Sequence, residues 1–324
     1  MIYHLVHPTY WNRFAEQEPY FSETFAQEGF IHLSTESQVA GVLQRYYRGV
    51  PRLLKLHVDE SRLTAELRFG AATSGELFPH VFGPLNRDAI VRVEEISQPL
   101  TIGLVLYPRL TQLDLTGPYE VFCRLPGAQV LLVAQTPEPV VADRGLALVP
   151  SVTFETCPPL DVLCVPGGPG ITEQLANPVL LDFLKKQGAQ AHYVTSVCTG
   201  SLLLAAAGLL RGYRATTHWL SLDLLRKFDG VTVGEERVVR DRNRFTGGGV
   251  TAGIDFALNL AAELYGAEIA QSVQLILEYN PQPPFNAGHP SVAPPDLVAQ
   301  VVARTQAAQQ QRADIIDRLG HPVS

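Results

Sequence analysis

The stretch Tyr193-Val-Thr-Ser-Val-Cys-Thr-Gly-Ser-Leu-Leu-Leu-Ala-Ala-Ala-Gly-Leu-Leu210 decides the reading. Tyr193 to Val197 is a short, apolar run rich in β-branched residues, the pattern of a buried strand. Ser201 to Leu210 is rich in Ala and Leu, with strong helix propensity. Only Cys198, Thr199 and Gly200 separate the two. A strand that reverses into a helix over one or two residues holds its turn residue under backbone strain, which is the geometry of a nucleophile elbow. The helix aims free N–H groups and its positive dipole end at the sulfur, which favours thiolate over thiol. Cys198 is thus placed as a nucleophile. Taken alone, the stretch also admits an inert core cysteine.

Around it, from Thr101 onward, strand and helix patterns alternate, the sign of an α/β fold with a parallel sheet flanked by helices. Ile102 to Tyr107, Gln129 to Ala134 and Leu160 to Val165 read as strands, and Leu146 to Phe154 as a small hairpin. Ala215-Thr-Thr-His-Trp219 reads as a further strand end, and Val231 to Thr246 as a hairpin. Helices are expected over Thr251 to Tyr265 and Ala267 to Tyr279. A proline-rich irregular stretch, Asn280 to Pro295, comes next, and Asp296 to Leu319 forms a polar helical tail. In open parallel sheets ligands sit at the carboxyl ends of the strands. Asp114, Gly167 and Gly168, Cys198, and Thr217 with His218 all fall at such ends. For Asp114, helix N-capping is the competing role. For Thr199 it is a purely backbone role, and for His218 the filling of a strand end.

The 324 residues are enough for two domains, and 46% hydrophobic content can fill a sizeable core. Residues 1–97 carry 9 Lys/Arg against 12 Asp/Glu, and the remainder 16 against 20. Neither part has the basic footprint of a nucleic-acid binder. Met1-Ile-Tyr-His-Leu-Val-His-Pro8 lacks the basic start and long apolar core of a signal peptide, and no apolar run reaches membrane-spanning length. A cytoplasmic protein, with no membrane partner, is expected. The four cysteines, at 123, 157, 164 and 198, form no Cys-x-x-Cys pair, so no metal site is expected.

Residues 1–97 read as a small α+β domain of unknown function, tied by the short Ser97-Gln-Pro-Leu100 link to a second domain spanning 98–324. Tyr3-His-Leu5, Gly29-Phe-Ile-His-Leu-Ser-Thr35, Glu76-Leu-Phe-Pro-His80 and Gly83-Pro-Leu85 resemble an uncharacterised family of bacterial domains, itself distantly similar to ADP-ribosyltransferase-like folds. The resemblance implies a possible second site at His4, His32, Ser34, Thr35 and His80. Satisfied structural histidines are the alternative, since no complete acid–base pattern is present. The division of labour expected here leaves catalysis to the second domain.

The second domain resembles the DJ/PfpI superfamily, with its class I glutamine-amidotransferase-like, flavodoxin-like layout, and within it the isonitrile hydratases. The phrases that carry this are Gln112-Leu-Asp-Leu-Thr-Gly-Pro118, Cys157-Pro-Pro-Leu-Asp-Val162, Val194-Thr-Ser-Val-Cys-Thr-Gly-Ser201 and Arg214-Ala-Thr-Thr-His-Trp219. Thr246-Gly-Gly-Gly249, Thr251-Ala-Gly-Ile-Asp-Phe256 and Leu277-Glu-Tyr-Asn-Pro-Gln-Pro-Pro-Phe-Asn286 add to them. The resemblance implies Cys198 as nucleophile, Asp114 as its assistant and Thr199 as part of the site. Gly167, Gly168, Thr217 and His218 would border the substrate, a small-molecule isonitrile. It further implies a homodimer and no cofactor. Thr199 stands where peptidase-like members carry histidine, so a Cys–His dyad of that type is absent. Transcription regulators fuse a similar domain to a helix-turn-helix pair. A non-catalytic small-molecule sensor, or a regulator-like module without a DNA-binding domain, is therefore the alternative. The acidic balance, and the 45 residues after Tyr279 that begin with a proline-rich loop, argue against a DNA-binding regulator.

Overall fold

A computed structural model describes residues 1–13, 19–71 and 75–320, except for the side chains of Thr9 and Gly320. The chain forms two compact units, Met1–Pro99 and Leu100–Ser324.

In the second unit the apolar runs form a seven-stranded sheet. Its order is Val152–Thr153, Ala128–Ala134, Leu100–Val105, Val162–Val165, Tyr193–Val197, Arg244–Gly247, Val238–Asp241. All neighbours pair in parallel except the last two strands, which form an antiparallel hairpin. Parallel strands buried on both faces require continuous rather than alternating hydrophobicity. The strand Val162–Val165 meets that demand, being wholly buried between Leu100–Val105 and Tyr193–Val197. Helices Gln112–Phe122, Pro178–Gly188, Gly200–Ala206 and Ala252–Tyr265 supply apolar faces to the same core, through Phe122, Leu184, Leu203 and Phe256 among others.

Two local expectations are corrected. Leu146 to Phe154 is not a hairpin: Ala147–Leu148 pairs back with Val140–Val141, and Val152–Thr153 joins the edge of the main sheet in parallel. Nor does the strand before His218 belong to the main sheet. Arg214–Ala215 pairs only with Thr232–Val233, and the place beside the elbow strand is taken by Arg244–Gly247. The expected tail is a long helix, Pro295–Gly320, with Ala313 and Ile316 in the core.

The first unit holds two three-stranded antiparallel sheets. One runs Ile2–Val6, Arg52–Val58, Ile90–Ser97, and the other Ile31–His32, Leu77–Phe82, Glu66–Ala71. An isolated bridge between Tyr3 and Ser34 links them. Leu77 to Leu85, which reads as a proline-rich loop, is instead a central strand over Leu77–Phe82. Pro79 lies within it, and its carbonyl accepts from Leu33 N–H. Among the described residues no helix is long and apolar enough to cross a membrane.

Candidate active site

Strand Tyr193–Val197 ends inside the sheet and helix Gly200–Ala206 begins three residues later, so the chain must reverse at Cys198. It does so with Cys198 at φ 54°, a left-handed conformation that L-residues avoid at a cost of roughly 1–2 kcal/mol. The strain is held by three hydrogen bonds. Cys198 N–H donates to the Gly247 and Gly248 carbonyls at 3.0 and 2.8 Å, and the Thr217 hydroxyl donates to the Cys198 carbonyl at 3.0 Å. The Thr246-Gly-Gly-Gly249 and Ala215-Thr-Thr-His218 segments thus clamp the elbow from beyond its own strand.

Asp114 lies in the first turn of helix Gln112–Phe122, fully buried. The N-cap position is Thr111, and Asp114 turns away from the helix end to accept the Gly167 N–H through Oδ2 at 2.9 Å. This removes the capping alternative. Its Oδ1 is buried without an N–H or O–H partner. The carboxyl and the Cys198 thiol interact directly, each altering the other's proton affinity. Gly167 allows this closeness: a Cβ there would stand 2.5 Å from the Thr199 nitrogen and 2.8 Å from Asp114 Oδ2. Gly168, at φ 136°, donates its N–H to Thr199 Oγ1 at 3.0 Å. That N–H is therefore engaged, and Thr199 ties the glycine turn to the elbow through its side chain.

Electrostatics correct the expectation of a resting thiolate. The Thr199 backbone N–H does pull the Cys198 proton affinity down, as the helix argument requires. Burial and the Asp114 charge outweigh it and hold the thiol well above its ordinary range. Burial also raises Asp114, to about 7, against the pull of the Gly167 N–H and the thiol. Near neutral pH the two groups share protons as a coupled pair. The other three cysteines lack this setting. Cys164 is a core residue whose thiol burial pushes up to about 12, Cys157 is half-buried and Cys123 exposed.

Of the residues expected to border substrate, Gly167, Gly168 and Thr217 lie at the elbow. His218 is half-buried, its Nδ1 accepts from Leu220 N–H at 3.3 Å, and burial pushes its pKa down, so the ring is neutral. Asp255 is an ion-pair residue, accepting from Arg237 and Tyr279.

Two residues escaped the sequence reading. Tyr107, at the carboxyl end of the first strand of the main sheet, is buried with its hydroxyl donating to the Pro166 carbonyl at 2.7 Å, within electrostatic reach of Asp114 and Cys198. Arg312, from the C-terminal helix, is only 7% exposed, donates through Nε to Thr172 Oγ1 at 3.1 Å, and interacts electrostatically with Cys198 and Tyr107. Its signal was present. Val301, Thr305, Gln309, Arg312 and Ile316 recur at helical spacing along one inward stripe, but three of the five are polar, which disguised the face.

In the first unit, His4, His32, Ser34 and His80 line one cavity. Thr35 lies outside its lining. It is the N-cap residue of helix Glu36–Tyr46, and its N–H donates to Gln38 Oε1. Among the described residues no group of three or more His, Cys, Asp or Glu is disposed to hold a metal ion.

Residues 5–93 match a family described as a protein of unknown function, DUF952, and residues 101–263 match the DJ-1/PfpI family. The chain is 54% identical to the isonitrile hydratase of Pseudomonas putida over 219 residues, 68% of this chain and 96% of that protein. It is 31% identical to the HTH-type transcriptional regulator GbdR of Pseudomonas aeruginosa over 188 residues, spanning about half (51%) of the regulator's length. The crystal structure of a THiJ/PfpI family protein from Pseudomonas syringae superposes with a TM-score of 0.66 at 45% identity, covering 68% of this chain and 91% of that one. By sequence match and by fold, the chain belongs to the DJ-1/PfpI family.

Proposed function

We propose that this protein hydrates isonitriles to N-substituted formamides, with Cys198 as nucleophile and Asp114 as the group that moves protons. The observation that carries the reading is the buried Asp114–Cys198 pair, set at a strained elbow in a chain 54% identical to an isonitrile hydratase over nearly that enzyme's whole length.

In the proposed cycle the one-proton state of the pair is the reactive one. The proton resides on sulfur or on Asp114, and in the second form the sulfur is a thiolate. Its lone pair attacks the terminal carbon of R–N≡C, and Asp114 delivers the proton to that carbon, giving the thioimidate R–N=CH–S–Cys198. Asp114, now a carboxylate, takes a proton from a water molecule as the oxygen adds to the same carbon and passes that proton to the imine nitrogen, so it is again a carboxylate when the tetrahedral adduct has formed. Collapse of R–NH–CH(OH)–S–Cys198 breaks the C–S bond, releases R–NH–CHO and returns the proton to the pair. One carboxyl that both gives and takes a proton suits such a sequence, and a pKa of about 7 suits that exchange at neutral pH. The Arg312 cation opposes the charge that builds on sulfur as the thiolate forms.

Within this reading the protein is a cytoplasmic homodimer. Leu275 (81% exposed) and Ile276, large apolar side chains on the surface at the end of helix Ala267–Ile276, support association there. The test of function is turnover of a panel of alkyl and aryl isonitriles by the full chain, with formamide followed by NMR. Product formation that Cys198→Ala abolishes supports the assignment. No turnover across the panel refutes it.

A further inference from the structure

The C-terminal helix Pro295–Gly320 packs on helix Ile171–Gln174 and on the turn Trp219–Ser221. Those two pieces directly follow the glycine turn at 166–170 and the Thr217-His218 segment, which border Cys198, so the packing carries Arg312 to the edge of the site. Arg312 is only 7% exposed, yet no carboxylate is ion-paired with it among the described residues. A carboxylate that acts on it through space, Glu173, is ion-paired with Arg109 at 2.6 Å. A buried cation is costly unless an anion meets it. Its Nε is engaged, donating to Thr172 Oγ1 at 3.1 Å. Nη1 and Nη2 meet no acceptor among the described residues. Unlike Nη1 of Arg244, which is sealed in the interior, neither is shut off from the surface.

His218 supplies a second unmet donor. Its Nδ1 accepts from Leu220 N–H and the ring is neutral, so the proton is on Nε2, and that N–H has no acceptor among the described residues. The ring lies beside Gly249, next to the Gly247 and Gly248 carbonyls that hold the Cys198 N–H, and within electrostatic reach of Arg312. The reacting group accounts for neither donor. An isonitrile has no oxygen, and the tetrahedral adduct of the proposed cycle is neutral. Arg312 acts on Cys198 through space, and no hydrogen bond joins its guanidinium to the sulfur. What remains to face the two donors is the R group of the substrate. A free Nη1/Nη2 edge matches a carboxylate, whose two oxygens accept two parallel N–H bonds.

We propose, on the hydration reading above, that the substrate is an isonitrile whose R group carries a carboxylate, held end-on by Nη1 and Nη2 of Arg312 and supported by His218 Nε2–H. The test compares matched pairs of substrates with a short and a long spacer: isocyanoacetate with 2-isocyanoacetamide, and 4-isocyanobenzoate with 4-isocyanobenzamide. For at least one spacer the full chain should favour the carboxylate in kcat/KM by roughly 10-fold or more, mainly through KM. Arg312→Gln leaves the anionic Asp114–Cys198 pair facing the carboxylate, so the ratio should fall to one or below. Arg312→Lys keeps the charge without the fork and should retain part of the preference. A purely structural role would lower both members of a pair alike and leave the ratio unchanged. Calorimetry of the parental protein with the matching formamides, N-formylglycine against N-formylglycinamide and 4-formamidobenzoate against 4-formamidobenzamide, reads the same preference without turnover. Turnover of all four isonitriles with carboxylate-over-amide ratios of one or less, or a preference that Arg312→Gln leaves intact, would overturn the proposal and leave hydration in place. Tighter binding of the carboxylate formamides with no turnover of any isonitrile would refute hydration, and with it the proposed substrate, and leave an anion site.

Discussion

Replacing Asp114 by Asn separates stability from chemistry at one position. The folded carboxyl titrates at about 7 against an ordinary value of 3.8, because burial disfavours its charged form. The folded state therefore holds this proton more tightly than the unfolded state does. The contribution of Asp114 is at its best below pH about 4. It worsens as pH rises and reaches its full penalty above about 7. Roughly three units at about 1.4 kcal/mol each set a ceiling of about 4 kcal/mol. Asn keeps an oxygen for the Gly167 N–H but adds an amide N–H₂ that needs an acceptor in a pocket where Oδ1 has no N–H or O–H partner. About 1–3 kcal/mol of net stabilisation at pH 8 is thus expected, with most of it gone at pH 4.5. In a unit of this size that raises Tm by roughly 2–4 °C per kcal/mol. Trp219 fluorescence in a Trp11→Phe background reports unfolding of the second unit alone, in urea at both pH values. In the same protein kcat should fall by roughly 10²-fold or more, the usual scale for a lost acid–base group. The limb of kcat/KM that rises with pH through about 7 in the parent, as the doubly protonated pair loses one proton, should vanish. A variant destabilised equally at both pH values, or one with near-parental turnover, would refute the assignment of that proton to Asp114.

Cys198→Ala should abolish turnover while the protein still folds. Cys198→Gly should be more stable than Cys198→Ala by about 1 kcal/mol, since glycine accepts a positive φ without steric penalty; equal urea midpoints would contradict a strained elbow. Arg312→Gln is expected to lower kcat by about 10- to 100-fold, the loss of one charge aimed at developing charge, while the limb near pH 7 remains. An unchanged kcat would show that Arg312 does not act on the sulfur. Gly167→Ala should cost roughly 2 kcal/mol or more and most of the activity, because its Cβ would collide with the Thr199 backbone. Residues 98–324, purified and shown by circular dichroism to be folded, should keep kcat/KM within a few-fold of the full chain. A 10³-fold fall, about 4 kcal/mol of transition-state stabilisation, would mean that the first unit supplies catalytic groups.

The elbow was legible because its geometry is local. An apolar strand, three residues and an Ala/Leu helix leave the backbone one way to turn, and Cys198 has the positive φ this predicts. The central strands were legible for a similar reason, as parallel strands buried on both faces show up as unbroken hydrophobic runs. What misread was set by partners distant in sequence. Val152–Thr153 has too few residues to declare a pattern and is a strand only because Ala128–Ala134 offers it an edge. Pro79 suggested a loop, yet its strand is held between two others. The protonation of Cys198 was misjudged because the helix terminus is a property of the adjoining sequence, whereas burial and the Asp114 charge come from the folded whole. Arg312 was hidden by its company, three polar residues on an inward helical face.

The origin of Arg312 bears on how such proteins diversify. The helix that carries it lies beyond residues 101–263, the span matching the DJ-1/PfpI family, after the proline-rich stretch. It is pinned to the shared domain by side chains that include Lys227 to Asp317, Ser221 to Gln309 and Arg312 to Thr172. The electrostatic setting of the Cys198 thiol therefore includes a residue from outside the span that matches the family, and not the elbow alone. Two chains with identical residues from Asp114 to Thr217 can differ in nucleophile strength if their C-terminal helices differ. That helix adds Ala313 and Ile316 to the core but no strand to the sheet.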